Sequence, residues 1–332
     1  MRSPSRHIDM TTTLPRTDER LIRAEALHHA GDHRGALGLL AAAKAERVGT
    51  PEVDDLRARC FESLGDASSA EQARREARRW SHAGAGQLPD TEPKSSREHQ
   101  PVTMDIADDD EWFNAARAAV APFTMLSESR LRSLHDLARS VLVGQLGGDF
   151  VECGVAAGGS SALLAGCIRR YGRNQHVWCL DTFTGMPTPS ELDTDRRGVP
   201  AADSGWGTGT CSAPERCVRE AAGFFGAEDR LIIRPGLFQD TLPFLGRRLG
   251  RIALLHLDGD WYESTKVCFE HLWHLVATDG AIQIDDYGHW EGCRRATDEF
   301  LASRGVTAVL TRVDYTGVSL RKPASKSLVG GT

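Results

Sequence analysis

The chain lacks several features that would have assigned it a class at once. It has no apolar run of membrane-spanning length, and residues 1–20, MRSPSRHIDMTTTLPRTDER, lack the apolar core of a signal peptide. It has no excess of positive charge: the formal net charge of −6 gives no support for a nucleic-acid partner or an anionic membrane surface. It has no CxxC pair. The eight cysteines are scattered, and Cys153, Cys179 and Cys268 sit inside apolar runs, as reduced thiols of a cytoplasmic protein do. It also lacks GxGxxG. Ala156 stands where the second glycine of that fingerprint belongs, which argues against a nicotinamide dinucleotide and an oxidoreductase. What remains is a 332-residue chain with 40% hydrophobic and 26% charged residues, ordinary for one large or two smaller globular domains.

The chain is organised around residues 252–290. Ile252 to Leu257 is a short apolar run of the kind found in buried parallel strands. Glu263 to Val276 has helical spacing, and Thr278-Asp279-Gly280 is expected to stop that helix. Ala281 to Ile284 reads as a second strand. Asp258 and Asp260 follow the first strand; Asp285 and Asp286 follow the second. In an open α/β sheet, ligands bind beyond the carboxyl ends of the strands, so four carboxylates are predicted to share one rim. Turn formation or helix capping explains a single such Asp. Two neighbouring Asp pairs point instead to a hard divalent cation.

Around this centre the chain divides by composition. Residues 1–16 read as a disordered tail, 17–80 as helical, 81–106 as a linker rich in Pro, Gly and Ser, 107–322 as an α/β domain, and 323–332 as a tail. The helical part repeats. Ala30-Gly31-Asp32 matches Leu64-Gly65-Asp66 at an offset of 34 residues, where Ala24 also matches Ala58, Leu27 matches Phe61, Ala36 matches Ala70 and Ala43 matches Ala77. That period suits tetratricopeptide-type units, here expected to form a separate body for self-assembly or for docking a protein partner.

The α/β domain opens with helices expected at Trp112 to Val120 and Glu128 to Leu142, the latter capped by Ser127. Phe150 to Val155 reads as a strand, Ala156 to Ser160 as a turn into a helix ending near Tyr171, and His176 to Leu180 as the next strand, closed by Asp181. Gly154, Gly158, Gly159 and Ser160 would let a ligand approach the backbone and a helix N-terminus. Asp181 is placed to accept hydrogen bonds from two ribose hydroxyls. Glu152 would repel a pyrophosphate and attract an amino or sulfonium group. Residues 184–213 form a long loop of the kind that serves as a lid or binding loop. Helices at Pro214 to Phe225, Asp240 to Leu249 and Glu291 to Ser303, a strand at Leu231 to Arg234, and a final hairpin at Val306 to Arg312 and Gly317 to Arg321 complete the reading.

Four blocks in this order resemble the macrocin O-methyltransferase family: Phe150-Val151-Glu152-Cys153-Gly154; Leu180-Asp181-Thr182-Phe183 with Gly185-Met186-Pro187; Leu257-Asp258-Gly259-Asp260 with Tyr262-Glu263-Ser264-Thr265; and Asp285-Asp286-Tyr287-Gly288 with Gly292-Cys293. The resemblance covers Phe123 to Arg321 and leaves the helical repeats outside. It implies a Rossmann-like class I methyltransferase sheet of seven strands with the last pair antiparallel. It implies S-adenosylmethionine and magnesium as cofactors, and a small glycosylated natural product as acceptor. It implies metal ligation by Asp258, Asp285 and Asp286. The metal layout is also similar to that of catechol-type methyltransferases, but Trp261 stands near the position of the lysine those enzymes use as base. Methyl transfer from a sulfonium is a direct displacement, so the enzyme must align donor and acceptor and take a proton from the hydroxyl. Asp258 or Asp260 is the expected base, with His256, Tyr287 and His289 near in sequence. A phenolic acceptor, or an inactive methyltransferase-like interaction protein, is the alternative.

Overall fold

A computed structural model of the chain describes residues 17–45, 51–67, 69–71, 73–74 and 101–324. The expected tail at 1–16, most of the expected linker at 81–106 and the last eight residues lie outside the described residues. Seven strands form one sheet: β1 (Asp149–Cys153), β2 (Val177–Asp181), β3 (Leu231–Pro235), β4 (Ile252–Leu257), β5 (Val276–Ile284), β6 (Thr311–Arg312) and β7 (Val318–Arg321), in the order β3-β2-β1-β4-β5-β7-β6. The first five are parallel. β7 runs antiparallel to β5, and β6 antiparallel to β7. The class I methyltransferase architecture expected from the sequence is the one observed.

The direction of winding reverses between β1 and β4, which makes their carboxyl ends the place where a ligand crevice opens. Cys153 pairs with Leu257, and Leu257 with Ile284. The ladder continues one step further: Asp258 N–H donates to Cys153 O at 2.8 Å and Asp285 N–H to Leu257 O at 2.9 Å. Gly154, Asp258 and Asp285 therefore lie side by side. A Cβ on Gly154 would sit 1.7 Å from the Asp258 carbonyl oxygen, so this approach requires glycine.

Helices cover both faces. On one side α4 (Asp109–Val120), α5 (Glu128–Val143), α6 (Gly159–Tyr171) and α7 (Glu215–Gly223) bury Trp112, Phe113, Leu134, Leu163 and Val218 against Phe150, Cys179 and Leu254. On the other, α8 (Phe238–Leu249), α9 (Tyr262–Leu272) and α10 (Glu291–Ser303) pack Leu245, Phe269 and Phe300 toward Val151, Leu255 and Ile282. One start follows the sequence closely: Ser127 Oγ accepts from Arg130 N–H at 3.2 Å; α4 begins three residues before the expected Trp112, where Asp108 caps it by accepting from Glu111 N–H at 2.8 Å. Among the described residues no helix is long and apolar enough to cross a membrane.

The structure differs from the expectation after α9. The helix ends at Leu272, a 3-10 turn spans Trp273–Leu275, and β5 already begins at Val276. Thr278-Asp279-Gly280 does not stop a helix. It is a bulge inside β5, where the register against β4 shifts, with Asp279 at φ 63 and its N–H donating to Lys322 O at 2.8 Å. The apolar run from Trp273 to Val276 fits either period, and the pairing of Asp279 and Gly280 with Lys322 decides for strand. β6 is also only two residues long; before it Val309 is 84% exposed, while Val306, Ala308 and Leu310 pack against the core without strand pairing.

At the N-terminus, α1 (Thr17–His29), α2 (His33–Ala45) and α3 (Pro51–Ser63) precede further helical residues from Ala67. The repeat is visible in the turns. Asp32 N–H donates to Leu27 O and Gly35 N–H to the Asp32 carboxylate; 34 residues on, Asp66 N–H donates to Phe61 O and Ser69 N–H to the Asp66 carboxylate. Gly31 and Gly65 take φ 86 and 76 at the two bends. These helices pack on the loop at 184–213. The fully buried Arg57 reaches Asp54 Oδ1 and Gly205 O, both at 2.8 Å, and lies 4.2 Å above the Trp206 ring, on which Phe61 stacks.

Replacing the cap of α4, Asp108→Ala, should lower the unfolding free energy by about 1 kcal/mol, with Asp108→Ser recovering most of it. Urea denaturation followed by circular dichroism measures this, and an unchanged midpoint in Asp108→Ala would contradict the capping role.

Candidate functional site

The carboxyl ends of β1, β2, β4 and β5 open into one cavity. Gly154 and Ala156 reach it from the first turn, Asp181 and Thr182 from the end of β2, Asp258, Gly259 and Asp260 from the end of β4, and Asp286, His289 and Trp290 from the end of β5. Met186, Pro187 and Trp206 of the long loop form the opposite wall, and Ser69 extends it from the N-terminal helices.

On the β1–β2 side Asp181 organises the backbone. Its Oδ2 accepts from Val155 and Ala156 N–H at 2.7 and 2.9 Å, and its Oδ1 from Phe183 N–H at 2.7 Å. Burial still pushes its pKa up from the ordinary value, against the pull of those three donors. The other residues expected here divide. Gly154 lines the cavity, but Glu152, Gly158, Gly159 and Ser160 do not. Glu152 is fully buried, accepting from the Ser161 hydroxyl and contacting His256 Nδ1 at 2.8 Å. Gly158 and Gly159 are packing positions: a Cβ would come within 2.6 Å of Val218 Cα and 2.7 Å of Thr124 Cβ. Ser160 is buried in the first turn of α6. Spacing placed these residues on the right turn; side-chain direction was not readable from it.

On the β4–β5 side the four predicted carboxylates do converge, in two roles. Asp258, Asp260 and Asp286 each bring an oxygen within 4.8 Å of the others. Burial and the neighbouring carboxylates push Asp258 and Asp260 well above the usual carboxylate range, and burial with Asp285 brings Asp286 up to about 6. Asp286 Oδ2 is buried with no hydrogen-bond partner, and Asp260 is held at φ 57 with Trp290 Nε1–H donating to its Oδ1 at 3.0 Å. Asp285 is different. It lies 3.1 Å from the Arg130 guanidinium and 3.1 Å from His256 Nε2, and accepts from Gln283 Nε2 at 2.9 Å. Burial opposes its ionisation, yet His256 and Arg130 hold it down at about 2. Asp285 still shares a second possible ligand group with His256 and Asp258, within the same 4.8 Å.

Three crowded oxygen donors, one of them without a partner, fit a hard divalent cation such as magnesium. Among the ring groups near in sequence, His256 is buried between Glu152 and Asp285, and Tyr287 donates to Asp298 at 2.8 Å. His289 alone of the three lines the cavity, and burial lowers its pKa, so it is neutral there. Sequence reasoning missed Arg130, which pairs with Asp285 and with Asp314 at 3.2 Å. It sits one residue before the apolar stripe of α5, where a polar residue reads as solvent-facing.

The pattern of the family described as Macrocin-O-methyltransferase (TylF) matches residues 67–322. A Streptomyces olivaceus protein named 8-demethyl-8-(2,3-dimethoxy-alpha-L-rhamnosyl)-tetracenomycin-C 4'-O-methyltransferase is 34% identical over 207 residues, covering 61% of this chain and 77% of its own. Demethyldecarbamoylnovobiocin O-methyltransferase of Streptomyces niveus is 30% identical over 204 residues, 59% of this chain and 74% of its own. Among solved structures, the O-methyltransferase NovP superposes with a TM-score of 0.54 at 30% identity, covering 61% of this chain and 83% of that one.

Arg130→Met would leave the buried Asp285 without its guanidinium partner, at a cost of about 3–5 kcal/mol. Chemical denaturation reads this directly, and a variant as stable as the parent would mean that His256 alone neutralises Asp285.

Proposed function

This chain belongs to the macrocin O-methyltransferase family and is an S-adenosylmethionine-dependent O-methyltransferase, and from that premise we propose that it methylates a sugar hydroxyl of a glycosylated natural product with the help of a divalent cation. The observation that carries the cation is the buried trio Asp258, Asp260 and Asp286 with its unpartnered oxygen. The sugar acceptor is supported by the rhamnosyl acceptor in the name of the Streptomyces olivaceus relative and by the name of a second, mycinamicin III 3''-O-methyltransferase of Micromonospora griseorubida.

Donor binding falls to the β1–β2 side. Asp181, lining the cavity, would take the ribose hydroxyls, and Gly154 would admit the ligand to the backbone. Glu152 would act from behind the strand end through Ser161 and His256, while Gly158, Gly159 and Ser160 set the shape of the turn. Asp258, Asp260 and Asp286 would hold the magnesium; of the ligands implied by the resemblance, Asp285 serves by fixing His256 and Arg130. Bound there, the cation would supply acidification of the acceptor hydroxyl, which is a poor acid by itself. Asp258 or Asp260 would take the proton, and neutral His289 faces the same space. Trp206 and Trp290 wall the acceptor side and exclude water from the transfer.

Asp181→Ala should weaken S-adenosylmethionine binding by about 1.5–3 kcal/mol, the range for a lost hydrogen bond to a charged group. Calorimetric affinity unchanged in the folded variant would remove Asp181 from the donor site.

Asp286→Asn tests the cation more cleanly than Asp285→Asn, which would also unpair Arg130. We expect Asp286→Asn to stay folded and bind donor while losing nearly all turnover. A chelator should abolish methylation of a rhamnosyl natural product by the parent enzyme, and magnesium should restore it, followed as S-adenosylhomocysteine release. Full activity under chelation, with no metal in the protein, would take the cation out of the reaction.

A further inference from the structure

The N-terminal helices carry a cluster that the methyl-transfer site does not use. His28 lies in the last turn of α1, His33 is the first residue of α2, and the buried Cys60 comes from α3. His28 Nδ1 is 3.1 Å from His33 Nδ1 and 3.3 Å from Cys60 Sγ, and the three donor atoms lie within 4.8 Å of one another. Hydrogen bonding accounts poorly for this. A ring nitrogen has either one proton or one lone pair, so His28 Nδ1 can fully satisfy one of its two close neighbours and not both. An ion between the three atoms would satisfy all of them.

The spacing fits. A tetrahedral zinc with Zn–N of about 2.0–2.1 Å and Zn–S of about 2.3 Å sets N···N edges near 3.4 Å and N···S edges of roughly 3.6 Å. The observed 3.1 and 3.3 Å fall short of these by only about 0.3 Å, within reach of small side-chain rotations. The donor set also differs in kind from the carboxylates of the cavity: two imidazoles and a thiol suit a borderline ion, where three carboxylates suit a hard one. Arg59 is the nearby cation, and its guanidinium turns to Asp55 at 3.3 Å and Glu25 at 3.9 Å. The cluster is not a demand of the repeat. The residues 34 positions after His28 and His33 are Glu62 and Ala67, so these ligands belong to one hairpin only.

We propose that His28, His33 and Cys60 form a zinc site that ties α1, α2 and α3 together, with water in the fourth position. At neutral pH the Cys60 thiol is protonated, because burial pushes it up to about 11; binding releases that proton to solvent as the Zn–S bond forms. Each helix is 13 residues long, short for stability in isolation, so a cross-link among them reinforces the support beneath Trp206 and hence the wall of the cavity.

The test uses the full-length, tag-free protein with cobalt(II) alone and then zinc(II) alone as probes. Cobalt should produce a thiolate-to-cobalt charge-transfer band that saturates at one equivalent and is displaced by zinc. The band should vanish in Cys60→Ser, lose more than roughly tenfold in cobalt affinity in His33→Gln, and persist in Asp286→Asn, which touches only the oxygen cluster. In the Asp286→Asn background, which disables the oxygen cluster, zinc should raise the thermal midpoint and should leave it unmoved once Cys60→Ser is added. A folded parent with no thiolate band, or the same band in Cys60→Ser, overturns the site. Should Cys60→Ser not fold, unchanged cobalt affinity in His33→Gln, a half-buried position, overturns it equally.

Discussion

Two backbone hydrogen bonds beyond the ends of the strands hold this site together: Asp258 N–H to Cys153 O and Asp285 N–H to Leu257 O. They extend the β1–β4–β5 ladder by one residue and so force carboxylates from neighbouring strands to the same level. Side chains that repel one another are then held close by backbone that cannot part without losing the sheet. Cationic side chains meet that repulsion in direct contact at Asp285. Arg130 and His256 neutralise Asp285, whereas Asp258, Asp260 and Asp286 are left facing one another across the cavity. That asymmetry is why the proposed cation belongs among the latter three.

The neutralised side is itself a connected path. Ser127 caps α5 and donates to Asp314 in the last hairpin; Asp314 meets Arg130; Arg130 meets Asp285; Asp285 meets His256; and His256 meets Glu152 at the end of β1. Burial opposes a charged His256, but Asp285 and Glu152 hold its pKa well above the ordinary value. A row of alternating charges of this kind, fully buried from Asp285 to Glu152, is weak evidence for stability, since removing charges from water costs about as much as pairing returns. It does fix orientation: each member is held from two sides, and the ends of β1, β4 and β5 are thereby set relative to the antiparallel edge.

Much of this was legible beforehand, for identifiable reasons. The strands show as apolar runs because both faces of a parallel sheet are buried, and the Asp pairs mark the strand ends because water and ligand begin there. Ser127 caps the helix it precedes because a cap is a local interaction. What stayed hidden is long-range. Glu152 has the right position in sequence for a ligand contact, but whether a strand-end carboxylate faces the cavity or the sheet interior depends on His256, more than 100 residues away. Arg130 is 155 residues from Asp285, and no spacing rule connects them. Thr278-Asp279-Gly280 carries the chemistry of a helix stop and serves as a bulge, because Lys322 from β7's far end supplies the pairing that a helix would have lacked.

The N-terminal helices change how the two ends of the cavity are to be understood. The family pattern begins at residue 67, so α1, α2 and α3 lie before it, while the donor side and the carboxylates lie well inside it. Yet Arg57 of α3 anchors Gly205 and Trp206, and Trp206 lines the same cavity as Asp258. The buried Arg57 guanidinium lies over the Trp206 ring and Phe61 stacks on it, and both residues precede the family pattern. On the proposed reading, the acceptor end of the cavity is shaped in part by helices that precede the family pattern. Selectivity for one glycosylated acceptor over another would then be governed as much by the packing of α3 on the loop as by the carboxylates beneath it.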